Sequence, residues 1–189
     1  MKPIDLTRYL PRNKEDAQGA AALVALGYPT VEPVLRHMLE WLKTNGSPVD
    51  LVMREFFASL GVPGVPVVRK ALQSRHDFLK FAVTTHVVVC WPREAVAGVQ
   101  TELQSLATGS GFYGTDLVAM KLLIEHSLAD RAWLSEWSEF KVKRLRELLA
   151  SAEELRSLLR ASLPPGRPKA GSAPSGGNAA ASAASVGAP

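Results

Sequence analysis

Cysteine is almost missing from this chain of 189 residues: Cys90 stands alone. One thiol closes no internal disulfide, so the fold must hold by packing. Its apolar surroundings, Val87-Val88-Val89 before it and Trp91 after it, predict an inert buried thiol rather than a nucleophile. Long hydrophobic runs are missing too. None approaches the roughly 18 residues of a membrane helix, and MKPIDLTRYLPRNK has no apolar signal-peptide core. The expected setting is the cytoplasm, with no membrane partner. Charge of one sign is scarce: the net charge is +4, and residues 1 to 163 carry 20 basic and 18 acidic side chains. A phosphate-binding surface needs clustered Lys and Arg, and only Lys141-Val142-Lys143-Arg144-Leu145-Arg146 comes near that. With Glu139 and Glu147 alongside, a solvated helix face is the expected role of that run, and nucleic acid is not the expected partner. Metal-ligand spacings, phosphate-cradling loops and paired nucleophile and base are lacking, so no catalytic residue, metal or cofactor is assigned.

Helical periodicity is abundant. In TVEPVLRHMLEWLKTNGSPVDLVMREFFASLG, residues 30 to 61, the apolar positions Val34, Leu35, Met38, Leu39, Trp41 and Leu42 predict one helix with Trp41 in the core. The turn Thr44-Asn45-Gly46 ends it. Ser47 is placed to cap the next helix and Pro48 to open it, while Val49, Val52, Met53, Phe56 and Leu60 make its stripe up to Gly61. Pro33-Val34-Leu35-Arg36 and Leu39 recur 33 residues later as Pro66-Val67-Val68-Arg69 and Leu72. A period of that length with one helical hairpin per unit is the pattern of stacked repeats, an irregular bundle being the alternative.

Residues 1 to 12 read as an N-terminal arm whose Tyr9 and Leu10 tuck against the first helix. Residues 13 to 163 read as the helical repeat domain. There, Asn13 and Asp16 have the form of a capping box, and a helix runs to about Leu26. Asp77 to Cys90 is rich in β-branched residues, yet its length and the lack of a pairing strand predict helix. Glu94 to Ala107 predicts another helix, Thr108-Gly109-Ser110-Gly111 a plain loop, and Thr115 the cap of a helix with Leu117, Met120, Ile124 and Leu128 inward. From Ser135 to Ser162 an unbroken stripe through Val142, Leu145, Leu149, Ala152, Leu155 and Leu159 predicts a single long helix, although Ser151-Ala152-Glu153-Glu154 resembles a cap. It is expected to close the end of the stack. In residues 164 to 189, 22 of 26 are Pro, Gly, Ala or Ser, a composition that predicts a disordered tail. The fold class expected is thus all-α: a short HEAT-like α-solenoid of antiparallel hairpins with a long C-terminal capping helix.

Leu10-Pro11-Arg12-Asn13-Lys14, Leu39-Glu40-Trp41-Leu42, Ser47-Pro48-Val49 and Phe78-Leu79-Lys80-Phe81 resemble, in order and spacing, a family of small bacterial helical proteins catalogued as a domain of unknown function. The resemblance covers about residues 10 to 125. It implies a HEAT-like fold, and helical proteins of this sort are sometimes immunity partners of antibacterial toxins. Gly46-Ser47 stands where the family tends to have Trp before Pro-Val, and Phe78 and Phe81 where it tends to have Trp around the Lys.

The functional expectation is a non-enzymatic binder of another protein, with a toxin as the specific partner. A HEAT-like nucleic-acid-processing enzyme, such as an alkyl-base DNA glycosylase, and a scaffold are the alternatives. Glu40, Asp50, Arg54 and Lys80 are the expected contact residues, because the helical stripes leave them free. Asp50 and Arg54 form an i, i+4 pair worth about 0.2 to 0.5 kcal/mol on an exposed helix. His86 reads as a core histidine, and His37, Glu40, Asp77 and Lys80 as residues that one groove could gather.

Overall fold

A computed structural model describes residues 6 to 162; the tail read at 164 to 189 and the first five residues of the arm lie outside them. The described residues form nine α-helices and no strand: α1 (Ala17–Val24), α2 (Leu35–Glu40), α3 (Pro48–Leu60), α4 (Val65–Leu72), α5 (Asp77–His86), α6 (Arg93–Ala97), α7 (Gln100–Thr108), α8 (Thr115–Glu125) and α9 (Arg131–Ser162). The chain divides into two units, one ending at Lys143 and one beginning at Arg144.

The hairpin of α2 and α3 forms where the periodicity placed it. Asn45 and Gly46 take left-handed φ of 43° and 78°, reversing the chain. Ser47 Oγ then accepts the Asp50 amide at 3.2 Å, and Pro48 fills the first helical position, which needs no donor. Gly61, with φ 59°, ends α3. The buried face of α3 is Val49, Met53, Phe56 and Phe57, and it meets α1. In the arm, Leu6 is buried and Leu10 half-buried, but Tyr9 is exposed. Asp16, not Asn13, caps α1: its Oδ1 accepts the Gly19 amide at 3.0 Å and its Oδ2 the Arg12 amide at 3.0 Å. Asn13 Oδ1 takes the Glu15 amide in a tight turn before it.

The β-branched segment is helical through His86, and Thr85 Oγ1 returns its proton to the Phe81 carbonyl. Val88–Cys90 is a 3-10 turn that buries Val88 and leaves Cys90 exposed, which corrects the buried thiol expected there. The buried partner is Trp91, whose indole N–H donates to the Phe57 carbonyl at 2.9 Å. Trp41, expected in the core, is half-buried against its edge. The helix expected from Glu94 to Ala107 breaks between α6 and α7 at Gly98. A Cβ there would meet Val65 Cγ1 at 2.8 Å, and the Gly98 carbonyl accepts from the Arg69 guanidinium.

α8 begins after Gly114 (φ 75°), and Thr115 Oγ1 donates to the Phe112 carbonyl instead of capping. The buried face of α8 is Asp116, Ala119, Met120, Leu122 and Leu123. Of the residues expected inward, Met120 and Leu128 are buried while Leu117 and Ile124 are exposed, their places taken by Asp116 and Leu123. α9 is continuous through Ser151, whose hydroxyl bonds back to the Glu147 carbonyl at 3.0 Å. Its start is capped by Asp130 Oδ1, which accepts from the Ala132 and Trp133 amides. Trp133, Leu134 and Trp137 pack on the core. From Val142 to Ser162 every residue is exposed, the stripe through Leu145, Leu149, Leu155 and Leu159 included.

Candidate functional site

Three elements of the first unit surround a cleft of about 490 Å³: the α4–α5 turn with the start of α5, the outer face of α7, and the loop from Gly109 to Thr115. Gln73, Asp77, Lys80, Glu102 and Phe112 line it. Gln73 Nε2 donates to Glu102 Oε1 at 2.7 Å, with Arg69 Nε 3.9 Å from the same carboxylate. Lys80 Nζ lies 2.6 Å from Asp77 Oδ1. The charged side chains of the lining are therefore paired along its walls, between apolar positions such as Leu72, Leu106 and Phe112.

The loop that closes one side is shaped from beneath. Gly111 passes so near the start of α8 that a Cβ there would fall 2.4 Å from the Asp116 amide nitrogen, so only glycine fits. Asp116 is itself buried, and Lys141 of α9 reaches it with its ammonium, which also donates to the Gly109 carbonyl. The two side chains keep only 9% and 12% exposure, for Lys141 and Asp116 respectively. Lys141 is thus no part of a solvated basic face, as the run from 141 to 146 suggested. It is the tie that fixes the cleft loop.

That loop displays aromatic rings. Tyr113 adopts φ 48°, ψ 34°, a left-handed conformation unusual for a ring-bearing residue, and is 76% exposed. Its ring lies edge-to-face with Phe112 at 4.3 Å and 5.8 Å from Phe81. Phe112 meets Phe78 and Phe81 edge-on at 6.4 Å each. Such pairs contribute about 0.5–1.5 kcal/mol each beyond their burial, enough to hold the rings as one rim.

His86 extends the rim, edge-on to Phe81 at 6.0 Å. Burial first, and the Arg54 guanidinium second, hold its imidazole below the usual histidine range, against the opposing pull of the Asp50 carboxylate. Behind His86 stands an ion pair. Asp50, 0% exposed, accepts the Gly46 amide at 2.6 Å and Arg54 Nε at 2.8 Å. Arg54 Nη2 sits 2.5 Å from Asp50 Oδ2 yet outside hydrogen-bond geometry, and Thr84 Oγ1 is also buried without a partner.

The expected contact residues are therefore scattered. Lys80 lines the cleft, and Glu40 is exposed on α2 beside Lys43. Asp50 offers no surface to any partner, and Arg54 keeps 15% of its side chain exposed. The stripes do not leave these two free, because α3 turns its Asp50 side inward against the α2–α3 turn. His37 and Glu40 do not join Asp77 and Lys80 at the cleft lining. Phe112 and Tyr113 follow the loop expected at Thr108 to Gly111 and are not among the expected contact residues; two adjacent rings between Gly111 and Gly114 are the signal that the sequence offers. A second hollow, about 890 Å³, lies between the N-terminal turn and α1, where Tyr9 and Leu26 are exposed.

Among the described residues no helix is long and apolar enough by itself to cross a membrane. No family model, curated protein or solved structure matches the chain.

Proposed function

We propose that this protein is a non-enzymatic protein-binding module of the short HEAT-like solenoid type, and that it grips its partner at the aromatic rim and polar cleft. The observation that carries the reading is the rim: four rings from two separate elements, clustered in partial exposure over paired charges. Aromatic anchors beside a polar wall are the composition of protein-binding hot spots. The solenoid part is supported by the spacing of bonds between layers. Val49 to Lys14, Trp91 to Phe57, Gln73 to Glu102, Arg93 to His126 and Lys141 to Gly109 join residues 29 to 35 positions apart, each unit holding the next. In its narrower form, the partner is an antibacterial toxin, as the resemblance implies.

The test replaces Tyr113 with a photoreactive phenylalanine analogue in the native host, with the exposed Leu51 of α3 as the control position. A cross-link at 113 to the product of a neighbouring gene, absent at 51 and abolished by Phe112→Ala in a chain that keeps its helical circular dichroism, is expected. Equal labelling at both positions overturns the site. Release of bases from alkylated DNA by the pure protein overturns the class in favour of the nucleic-acid enzyme.

A further inference from the structure

The described part of the second unit is a bare helix, and the physics of bare helices makes it incomplete. A helix in a protein draws most of its stability from packing an apolar face rather than from the propensity of its residues. Among the described residues this face has no partner. Leu145, Leu148, Leu149, Leu155, Leu158 and Leu159 are between 48% and 67% exposed, with Ala152 among them. Leu145, Leu148, Ala152, Leu155 and Leu159 follow steps of three, four, three and four, the repeat of a coiled-coil seam.

We propose that this stripe is the seat of a second copy of the same chain, the two helices running antiparallel. Three features of the stripe select that occupant. The first is area: the exposed apolar surface of these side chains with Val142 amounts to roughly 700 Å², beyond what a monomer ordinarily shows and close to the ~800 Å² a standard interface takes from each partner. The second is shape. Pairing in parallel would set Ala152 on Ala152 and leave the middle of the seam underfilled. Antiparallel pairing sets each Ala152 against its partner's Leu155, so the one small residue of the stripe meets a large one, and sets each Leu148 against its partner's Leu159. The third is charge. Antiparallel pairing opposes the two helix dipoles, which parallel pairing would align.

This inference uses none of the residues of the aromatic cleft, so it stands or falls apart from the partner proposed there. The experiment is sedimentation of the full chain at concentrations above micromolar, with expected mass twice 20.4 kDa. Leu148→Glu should raise the dissociation constant about a hundredfold or more, because each dimer carries the change twice. Its thermal transition for the first unit should stay unchanged. Orientation is read by oxidative cross-linking in a Cys90→Ser background. A mixture of Leu148→Cys and Leu159→Cys chains should couple to each other, and neither should couple to itself. A monomer at these concentrations overturns the proposal, whether or not it binds anionic vesicles or another protein through α9. A Leu148→Glu chain that still dimerises overturns the seat, and self-coupling of Leu148→Cys overturns the antiparallel order.

Discussion

Removing the carboxylate of Asp50 separates two views of the same pair by a factor of about ten. On an exposed helix an i, i+4 Asp–Arg pair is worth about 0.2 to 0.5 kcal/mol, and Asp50→Ala would barely be noticed. In the structure Asp50 is fully buried and holds the Gly46 amide and the Arg54 guanidinium together. Its loss strands a guanidinium whose side chain is only 15% exposed, and takes the acceptor from the Gly46 N–H. Breaking a buried pair from one side costs about 3 to 5 kcal/mol. The residual exposure of Arg54 places this case near 3. Against a total stability of about 5–15 kcal/mol that is a large share, and it should lower the melting temperature by roughly 6 to 12 °C. Urea unfolding followed by circular dichroism measures it directly: the midpoint should fall while the slope is unchanged. Adding Arg54→Met to Asp50→Ala should recover much of the loss, since no charge is then stranded. A single Asp50→Ala change within about 0.5 kcal/mol of the parent would refute the burial reasoning.

Lys141→Met should cost about 3 kcal/mol by leaving Asp116 buried and unpaired, and should speed amide hydrogen exchange from Gly111 to Thr115; Lys141→Met with Asp116→Asn should restore most of the stability. His86, whose folded pKa lies below its ordinary 6.5, binds protons more readily when unfolded, so stability should fall as pH drops below 6.5 and level off below the folded value. His86→Gln should flatten that part of the pH profile. Trp91→Ala should cost about 3 to 5 kcal/mol, as buried large-to-small changes do, and clearly more than Trp41→Ala, because Trp91 is enclosed and hydrogen-bonded while Trp41 is half-exposed.

Helix class and most boundaries were legible because they are written in local chemistry. Ser47-Pro48, Asn45-Gly46 and Gly61 each dictate a backbone conformation without reference to the rest of the chain, and the β-branched segment from Val83 to Val89 had no strand to pair with. What periodicity could not give was the partner of each face. Leu145 and Leu103 sit on equally regular stripes, yet one is exposed and the other buried. Asp50 and Lys141 read as solvated charges since nothing in sequence says that a charge four or 25 residues away will meet them in a dry place. The rim was the least visible part: Phe78 and Phe81 are joined to Phe112 and Tyr113 only by the fold, and the loop's glycines disguised the rings they position.

The continuity of α9 gives the chain a mechanical character. Pulled along α9 as a single copy, the described stretch beyond Lys141 resists with bonds within its own helix, and would uncoil at low force, each residue lengthening from about 1.5 Å to about 3.4 Å. Extension should then halt at Lys141, whose ammonium is anchored to Asp116 and Gly109. Force applied there bears on the loop that carries Tyr113, so once that stretch has uncoiled, tension on α9 would reach the cleft.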